Sequence, residues 1–359
     1  MTGLEIRYLK EVEKSSYWQN ILALKNKGLF FYSSEWINFL KEYLQAEDFS
    51  LGVFTREGQL LAFLNLLVKD GPLGRVANSS PFYGSNGGII IDLSLPQNIQ
   101  MQIKKKLLSY IPLFEKENNV VLTCIITNPL YQDDDFYRKS LEWDYEDYRI
   151  GQLTFLPESE EDLFPLFHYK TRNVIRKAQK FGFEVYKAER MEELEVFYRI
   201  HRENMEAIGG KAKDFEFFEN VLFNSNCKCD LLIATYKDEI AAGLLLFHFG
   251  DVVEYYNPVI KHEYRTYQPL SLLIYEAMRE AVKQGKKIWN WGGTWKGQEG
   301  VYRFKSRWGT KDMNYYYFIR FSSPEKKEMF LGCEAQFLID NYKYFYTVPF
   351  TQLKREKDG

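Results

Sequence analysis

The sequence predicts an α/β protein, layered in the α+β manner and built twice, and three observations carry that prediction. SLGVFTREGQLLAFLNLLV from Ser50 matches DLLIATYKDEIAAGLLLFH from Asp230 at one offset of 180 residues, with Leu51 on Leu231, Thr55 on Thr235, Ala62 on Ala242, Leu64 on Leu244 and Leu66 on Leu246. The order of apolar and polar runs around the two copies is also the same, which points to a duplicated domain rather than a short repeat array. Finally, 359 residues with 45% apolar and 27% charged content make a globular chain large enough for two ordinary domains.

Each element follows from local pattern. The spacing of apolar residues predicts a helix from Ser34 to Leu44. Two apolar strands around Arg56-Glu57-Gly58 then read as a β-hairpin. A further strand, a helix over Gln97 to Lys116 and the strand VVLTCIIT from Val120 complete the first copy. The second copy has helices over Met191–Ile208 and Phe215–Phe223, a hairpin turning at Lys237-Asp238-Glu239, a helix over Pro269–Gln284 and the strand KIWNW from Lys287. The switch in composition along DYRIGQLTFLPESEED places the boundary near 145–165. The expected domains are therefore 1–150, 151–323 and a helical tail over 324–359.

Composition excludes several classes. A net charge of −2 rules out a coat of basic surface, so any nucleic-acid contact must be a local patch. Cys227 and Cys229 have no zinc spacing, Cys124 and Cys333 stand apart, and the four histidines (His168, His201, His248, His262) form no cluster, so no metal site is expected. MTGLEIRYLKEVEK lacks a signal-peptide core, and no apolar run approaches the ~18 residues of a membrane span, so a cytoplasmic location is expected.

Two segments carry candidate chemistry. WNWGGTWKGQEGVYRFKSRWG, residues 289–309, holds four of the seven tryptophans, five glycines and four Lys/Arg residues. That mixture suits either a pocket wall, with backbone close to a ligand at Gly292 and Gly293, or an aromatic structural turn. In TRNVIRKAQKFG, Arg172, Arg176 and Lys180 recur every four residues, with Lys170 and Lys177 nearby and Gly182 placed to end the helix. This stripe is either a phosphate grip or a solvated face.

On RNVIRKAQKFGFEV, NPVIKHEYRTYQPLSLLIYEAM, WNWGGTWKGQEGVYRFKSRWG and the SPFYGSNGG loop around Tyr83, the chain resembles the FemABX family of aminoacyltransferases and its relatives in cell-envelope polysaccharide pathways. The resemblance spans roughly residues 25–320. It implies two GNAT-like acyltransferase domains in tandem and transfer of an activated acyl group onto an amine, with no tightly bound cofactor. The expected donor is aminoacyl-tRNA, or an acyl carrier protein or acyl-CoA, and the expected acceptor is a nucleotide- or lipid-linked sugar or peptide. A non-catalytic glycan- or nucleotide-sugar-binding module is the alternative.

The resemblance also assigns roles. Lys305 falls on the family's Phe-Lys motif, which implies a fixed cation for the tetrahedral intermediate or the donor's end; Phe304, Tyr302 and Trp308 would wall the pocket. The pocket would run along the 254–310 edge, drawing on Tyr256, Asn257, Gly292, Gly293 and Trp295, and face the Tyr83 loop. Arg303, Lys305 and Arg307 alternate as on a strand and would share one side, which suits an anionic substrate or an exposed sheet face. Glu254 is the candidate base, with an ordinary exposed strand carboxylate as the alternative reading. Two departures stand out. Gln268-Pro269 replaces the Gly-rich turn of a CoA-dependent GNAT, and Ile208-Gly209-Gly210-Lys211 replaces an expected arginine turn, leaving Lys211 or Lys213 as its substitute. In the tail, the aromatics and closing lysines suit either a peripheral membrane contact or a helix packed on the second domain.

Overall fold

The computed structural model describes residues 3–9 and 28–353. The chain forms two compact units, Met1–Arg149 with Met313–Gly359, and Ile150–Asp312. In chain order the first part contains β1 (Glu5–Tyr8), α1 (Ser34–Leu44), β2 (Glu47–Asp48), β3 (Leu51–Phe54), β4 (Leu60–Leu64), β5 (Leu67–Lys69), β6 (Arg75–Asn78) and β7 (Ile89–Ile91). Then come α2 (Gln97–Ser109), α3 (Ile111–Glu117), β8 (Val120–Ile126) and α4 (Asp134–Ser140). Strand β9 (Tyr145–Phe155) is divided between the units at Arg149.

The second unit continues with α5 (Glu160–Leu166), α6 (Tyr169–Phe181), β10 (Glu184–Lys187), α7 (Met191–Glu206), α8 (Phe215–Glu219), β11 (Cys229–Tyr236), β12 (Glu239–Phe249) and β13 (Val252–Ile260). It ends with α9 (Pro269–Lys283), β14 (Ile288–Thr294), α10 (Glu299–Ser306) and β15 (Lys311–Asp312). The chain then returns to the first unit with β16 (Tyr315–Phe321), α11 (Pro324–Leu331) and α12 (Ala335–Asn341).

Local chemistry sets these bounds. The Ser33 hydroxyl accepts from the Trp36 amide and starts α1, whose Trp36, Ile37, Leu40 and Leu44 are buried. The run predicted as one helix over Gln97–Lys116 is two, because Pro112 in the first turn of α3 has no N–H to continue α2. Helix α6 ends at Gly182, held at φ 91°. Lys237 and Asp238, at φ 50° and 64°, make the two-residue turn that joins β11 to β12 with matching twist.

In the first unit, one sheet runs β1-β3-β4-β7 and a second runs from the Tyr145–Arg149 half of β9 through β16, β8, β6, β5 and β2. In the second unit the order is β10-β11-β12-β13-β14 and then the Ile150–Phe155 half of β9. Among the described residues each unit has one parallel pair, β6 with β8 and β13 with β14, and each follows a helical crossover. On one face of the second sheet Trp289, Trp291 and Trp308 join Leu244, Leu246, Val253 and residues of α9 in a common core. Replacing a tryptophan there by alanine costs about 3–5 kcal/mol.

The tail departs from the expectation that it packs with the second domain. Strand β16 pairs with β8 and lends Phe318 to the first core. Further on, the Tyr342 hydroxyl accepts from the Leu73 amide and donates to the Gly74 carbonyl, each at 2.9 Å. Residues 313–323 therefore belong to the first unit, because an aromatic strand with a buried face completes that sheet. The closing Lys354 and Lys357 lie outside the described residues. No helix among the described residues is long and apolar enough to cross a membrane.

Candidate active site

The second unit opens its sheet in one place. Strands β13 and β14 pair in parallel over Val252–Glu254 and Ile288–Asn290, and the ladder ends there although both strands continue. Just beyond, each strand carries an extra residue against its outer neighbour. Tyr256 is the extra residue in β13, because Leu245 and Leu246 of β12 face Asn257 and Tyr255. In β14, Trp291 and Gly292 occupy the space that Gln152 alone fills on β9. Bulges of this kind bend a strand and end pairing beside functional sites. Gly292 adopts φ 68°, and a Cβ there would meet nothing within 4 Å, so backbone conformation, not crowding, calls for glycine.

Buried polar groups line this opening. Glu254 and Asn290, the last pair of the ladder, are 2% and 1% exposed. Glu254 is thus no exposed strand carboxylate. The Asn290 side-chain oxygen accepts from the Gly292 amide at 2.9 Å, whereas its Nδ2 is buried without a hydrogen-bond partner. Such an orphan donor costs about 1–3 kcal/mol unless something accepts from it.

Lys305 reaches β14 from helix α10. The strand-like run expected through Arg303, Lys305 and Arg307 is this helix, which ends at Ser306, and the helical repeat turns the Arg303 side chain away from that of Lys305. Arg303 is exposed, Lys305 is 6% exposed, and the three do not share a face. The Lys305 Nζ donates to the Gly293 carbonyl at 3.2 Å and the Thr294 hydroxyl at 3.0 Å. An ammonium has three N–H donors, so one remains. Burial pushes its pKa down to about 8. Thr294 is held in turn by Gln152, at 3.4 Å. Phe304, Trp291 and Trp308 pack together, with ring centres 5.6–6.3 Å apart, so Trp308 is a core residue beneath the site.

A second group stands by β13. The Lys213 Nζ lies 3.1 Å from Asn257 Oδ1, the Lys213 amide 3.2 Å from His201 Nε2, and Asn257 Nδ2 3.3 Å from His201 Nδ1. The Lys213 ammonium position is also 5.2 Å from the Tyr256 ring centre. Burial pushes the Lys213 amine down to about 8, and burial followed by the Lys213 charge pushes His201 down to about 4.

Other expected site residues are placed elsewhere. Lys211 is exposed; Lys213, the other lysine weighed for that turn, faces inward. Trp295 is 47% exposed, and the Tyr302 hydroxyl donates to Asp312 at 2.8 Å. Arg172 donates to the Pro165 carbonyl, while Arg176 stands over the Phe164 ring, so part of the basic stripe braces α5. Tyr83 belongs to the first unit, where it is 58% exposed and lies edge-on to Tyr344. Cavities of about 700 Å³ at Arg138, Trp143 and Arg320 and about 310 Å³ at Gln179, Phe183 and Leu272 are lined by other residues than these. No metal-binding cluster occurs among the described residues.

Sequence reasoning passed over Asn290, Thr294, Gln152 and His201. A signal existed for Asn290: a polar residue between Trp289 and Trp291 on a strand must face away from the tryptophan core.

Residues 167–306 match the model of a family described as an acetyltransferase (GNAT) domain. Among solved structures the chain is similar to FemX, with 16% identity over 91% of this chain and 98% of that one and a TM-score of 0.68. It is also similar to the C-terminal domain of a putative lysylphosphatidylglycerol synthetase from Agrobacterium fabrum, with 10% identity, 92% and 98% coverage and a TM-score of 0.57. A tandem GNAT protein from the clavulanic acid biosynthesis pathway matches at 9% identity, 89% and 99% coverage and a TM-score of 0.53. No curated protein sequence matches. The chain therefore has the fold of FemX and of the tandem GNAT protein, and the match to the GNAT domain model lies in its second unit.

Proposed function

We propose that this chain transfers an aminoacyl or acyl group from a carrier to an amino group of a cell-envelope precursor, a muropeptide or amino sugar, forming an amide. The observation that carries this reading is Lys305, a buried ammonium tied to Gly293 and Thr294 with one N–H left over, beside an opening in the sheet. Attack of an amine on an ester or thioester places negative charge on the carbonyl oxygen. A cation already fixed by two hydrogen bonds stabilises that charge without reorganising. The aromatic packing of Phe304, Trp291 and Trp308 keeps water from a hydrolysable donor.

Aminoacyl-tRNA is the first-choice donor, followed by an acyl carrier protein or acyl-CoA. Pro269 removes a backbone N–H at the start of α9, and Gln268 sets a side chain on the turn before it, which supports a donor other than free CoA. Exposed Arg176, Lys177 and Lys180 on α6 support an anionic carrier. The test incubates the full chain with charged tRNA, acyl carrier protein or acyl-CoA and with UDP-linked amino sugars or muropeptides, and weighs the acceptors by mass spectrometry. An acceptor heavier by the acyl mass is expected. Ligand binding with no mass gain would replace this reading with a glycan- or nucleotide-sugar-binding module.

A further inference from the structure

The hydrogen bonds around Lys213 favour an unprotonated amine in that side chain. The Lys213 amide donates to His201 Nε2, so this nitrogen is bare and the proton of a neutral imidazole sits on Nδ1. That proton points at the Asn257 side-chain amide, 3.3 Å away. An N–H there needs the amide oxygen opposite it. Oxygen and nitrogen of an amide are alike in shape, so the network chooses its orientation. With the oxygen on His201, the Asn257 NH2 group turns to Lys213 Nζ at 3.1 Å. An NH2 donor at that distance needs a lone pair, which a free amine has and an ammonium lacks. The reverse orientation sets NH2 against the Nδ1 proton, and a protonated His201 sets Nε2–H against the Lys213 amide. His201 and Asn257 are 3% and 4% exposed, so solvent does not relieve the clash between them, while Lys213 itself is partly buried.

The surroundings agree. His201 on α7 and Tyr256 and Asn257 on β13 face the amine, Asp214 follows it in the chain, and no carboxylate pairs with Lys213 among the described residues. Burial holds both Lys213 and His201 below their ordinary values. Position matters as much. Asn257 lies three residues past Glu254 on β13, and Gly293 and Thr294 lie three and four residues past Asn290 on β14. Glu254 and Asn290 are the last pair of the ladder, so Lys213 is bonded to β13 and Lys305 to β14 just beyond the point where the two strands part.

The geometry points to Lys213 as the proton acceptor for the incoming amine, an inference that rests on the amide-forming reading above. The acceptor arrives as R–NH3+ and gives one proton to the Lys213 lone pair, leaving R–NH2 and a Lys213 ammonium. The amine nitrogen then forms the C–N bond at the carbonyl carbon. The C–O or C–S bond of the donor breaks, and the second nitrogen proton leaves with the alcohol or thiol. Lys213 returns its proton to solvent, and Asn257 and His201 position the amine throughout.

Two measurements test this. The first needs no substrate: the full chain is pulsed with acetic anhydride from pH 6 to 11, and the acetylation of each lysine is read by peptide mass spectrometry. The Lys213 midpoint is expected near pH 8, below the ordinary lysine value; a midpoint at the ordinary value overturns the inference even if transfer activity is found. The second uses the donor–acceptor pair that shows turnover. Lys213→Arg and Lys213→Met are expected to lower kcat/KM about 100-fold or more and to abolish the acidic limb of its pH profile. Loss of rate with that limb intact, or near wild-type rate, also overturns it. Failure of every pair to react would count against the amide-forming reading, while the labelling result would still decide the state of Lys213.

Discussion

The two copies of the fold treat the end of their parallel ladders in opposite ways. In the first unit the ladder of β6 and β8 ends at Asn78 and Cys124, and the chain closes the space that follows. The Ser79 amide donates to the Cys124 carbonyl, the Ser79 hydroxyl accepts from the Ile126 amide, and the Gly87 amide donates to the Ile126 carbonyl. In the second unit the ladder ends at Glu254 and Asn290 and both strands bulge away, leaving Asn290 Nδ2 unpartnered and a desolvated lysine beside each strand. The hairpins differ in the same sense. Strand β12 runs unbroken over Glu239–Phe249, whereas its counterpart is cut into β4 and β5, which pair into different sheets. One copy closes the opening with backbone hydrogen bonds, and the other leaves it open.

The largest expected effect that sharpens this contrast is at Lys305. Lys305→Met should lower turnover about 100-fold or more, with an unchanged or higher melting temperature because a buried charge is removed. Single-turnover assays beside thermal unfolding would check it. A mutant that loses activity only by unfolding would break the contrast.

The pH profile comes next. Lys305 must be protonated to hold an oxyanion, so activity should fall as pH rises through about 8. Lys213 must be unprotonated to accept a proton, so activity should fall as pH drops through about 8. The two limbs together predict a narrow optimum near pH 8, and Lys305→Arg should push the alkaline limb upward. For stability the sign is the reverse of a salt-bridged lysine. The native pKa of Lys305 is below the unfolded value, so the unfolded chain binds more protons between them and stability gains as pH rises above about 8.

Glycine replacements compare the two openings directly. A Cβ at Gly87 would come 2.2 Å from the Ser79 hydroxyl and 2.9 Å from backbone, so Gly87→Ala should cost about 1–3 kcal/mol by denaturant unfolding. Gly292→Ala meets no atom and pays only for φ 68°, about 1–2 kcal/mol, but it should disturb transfer more than Gly87→Ala does. The smallest effect is expected at Arg303, which is exposed on the outer side of α10. Arg303→Ala should change stability by less than about 0.5 kcal/mol and leave turnover within about twofold.

Much of this was legible in the residues. The offset between Leu51 and Leu231 marks the duplication, the Ser34–Leu44 helix has the bounds its apolar spacing implies, and the family motif singles out Lys305. Reading Arg303, Lys305 and Arg307 as strand-like failed because alternation of charge resembles a two-residue period, while the burial of Lys305 and Trp308 and the partial burial of Phe304 follow the helical one. The return of β16 to the first unit was hidden for another reason: an aromatic strand such as YYYFIRF suits any sheet with a buried face, and only pairing with β8 selects one.

The sequence by itself determined the periodicities, the caps and turns, and the duplication, because these depend on neighbours within a few residues or on direct self-comparison. Only the tertiary structure decided that Lys213, not Lys211, turns inward, that Glu254 is buried, and that His201 and Asn257 meet across 56 residues of chain. Proton positions and lowered pKa values arise from burial and from partners distant in sequence, and no local pattern of residue types encodes either.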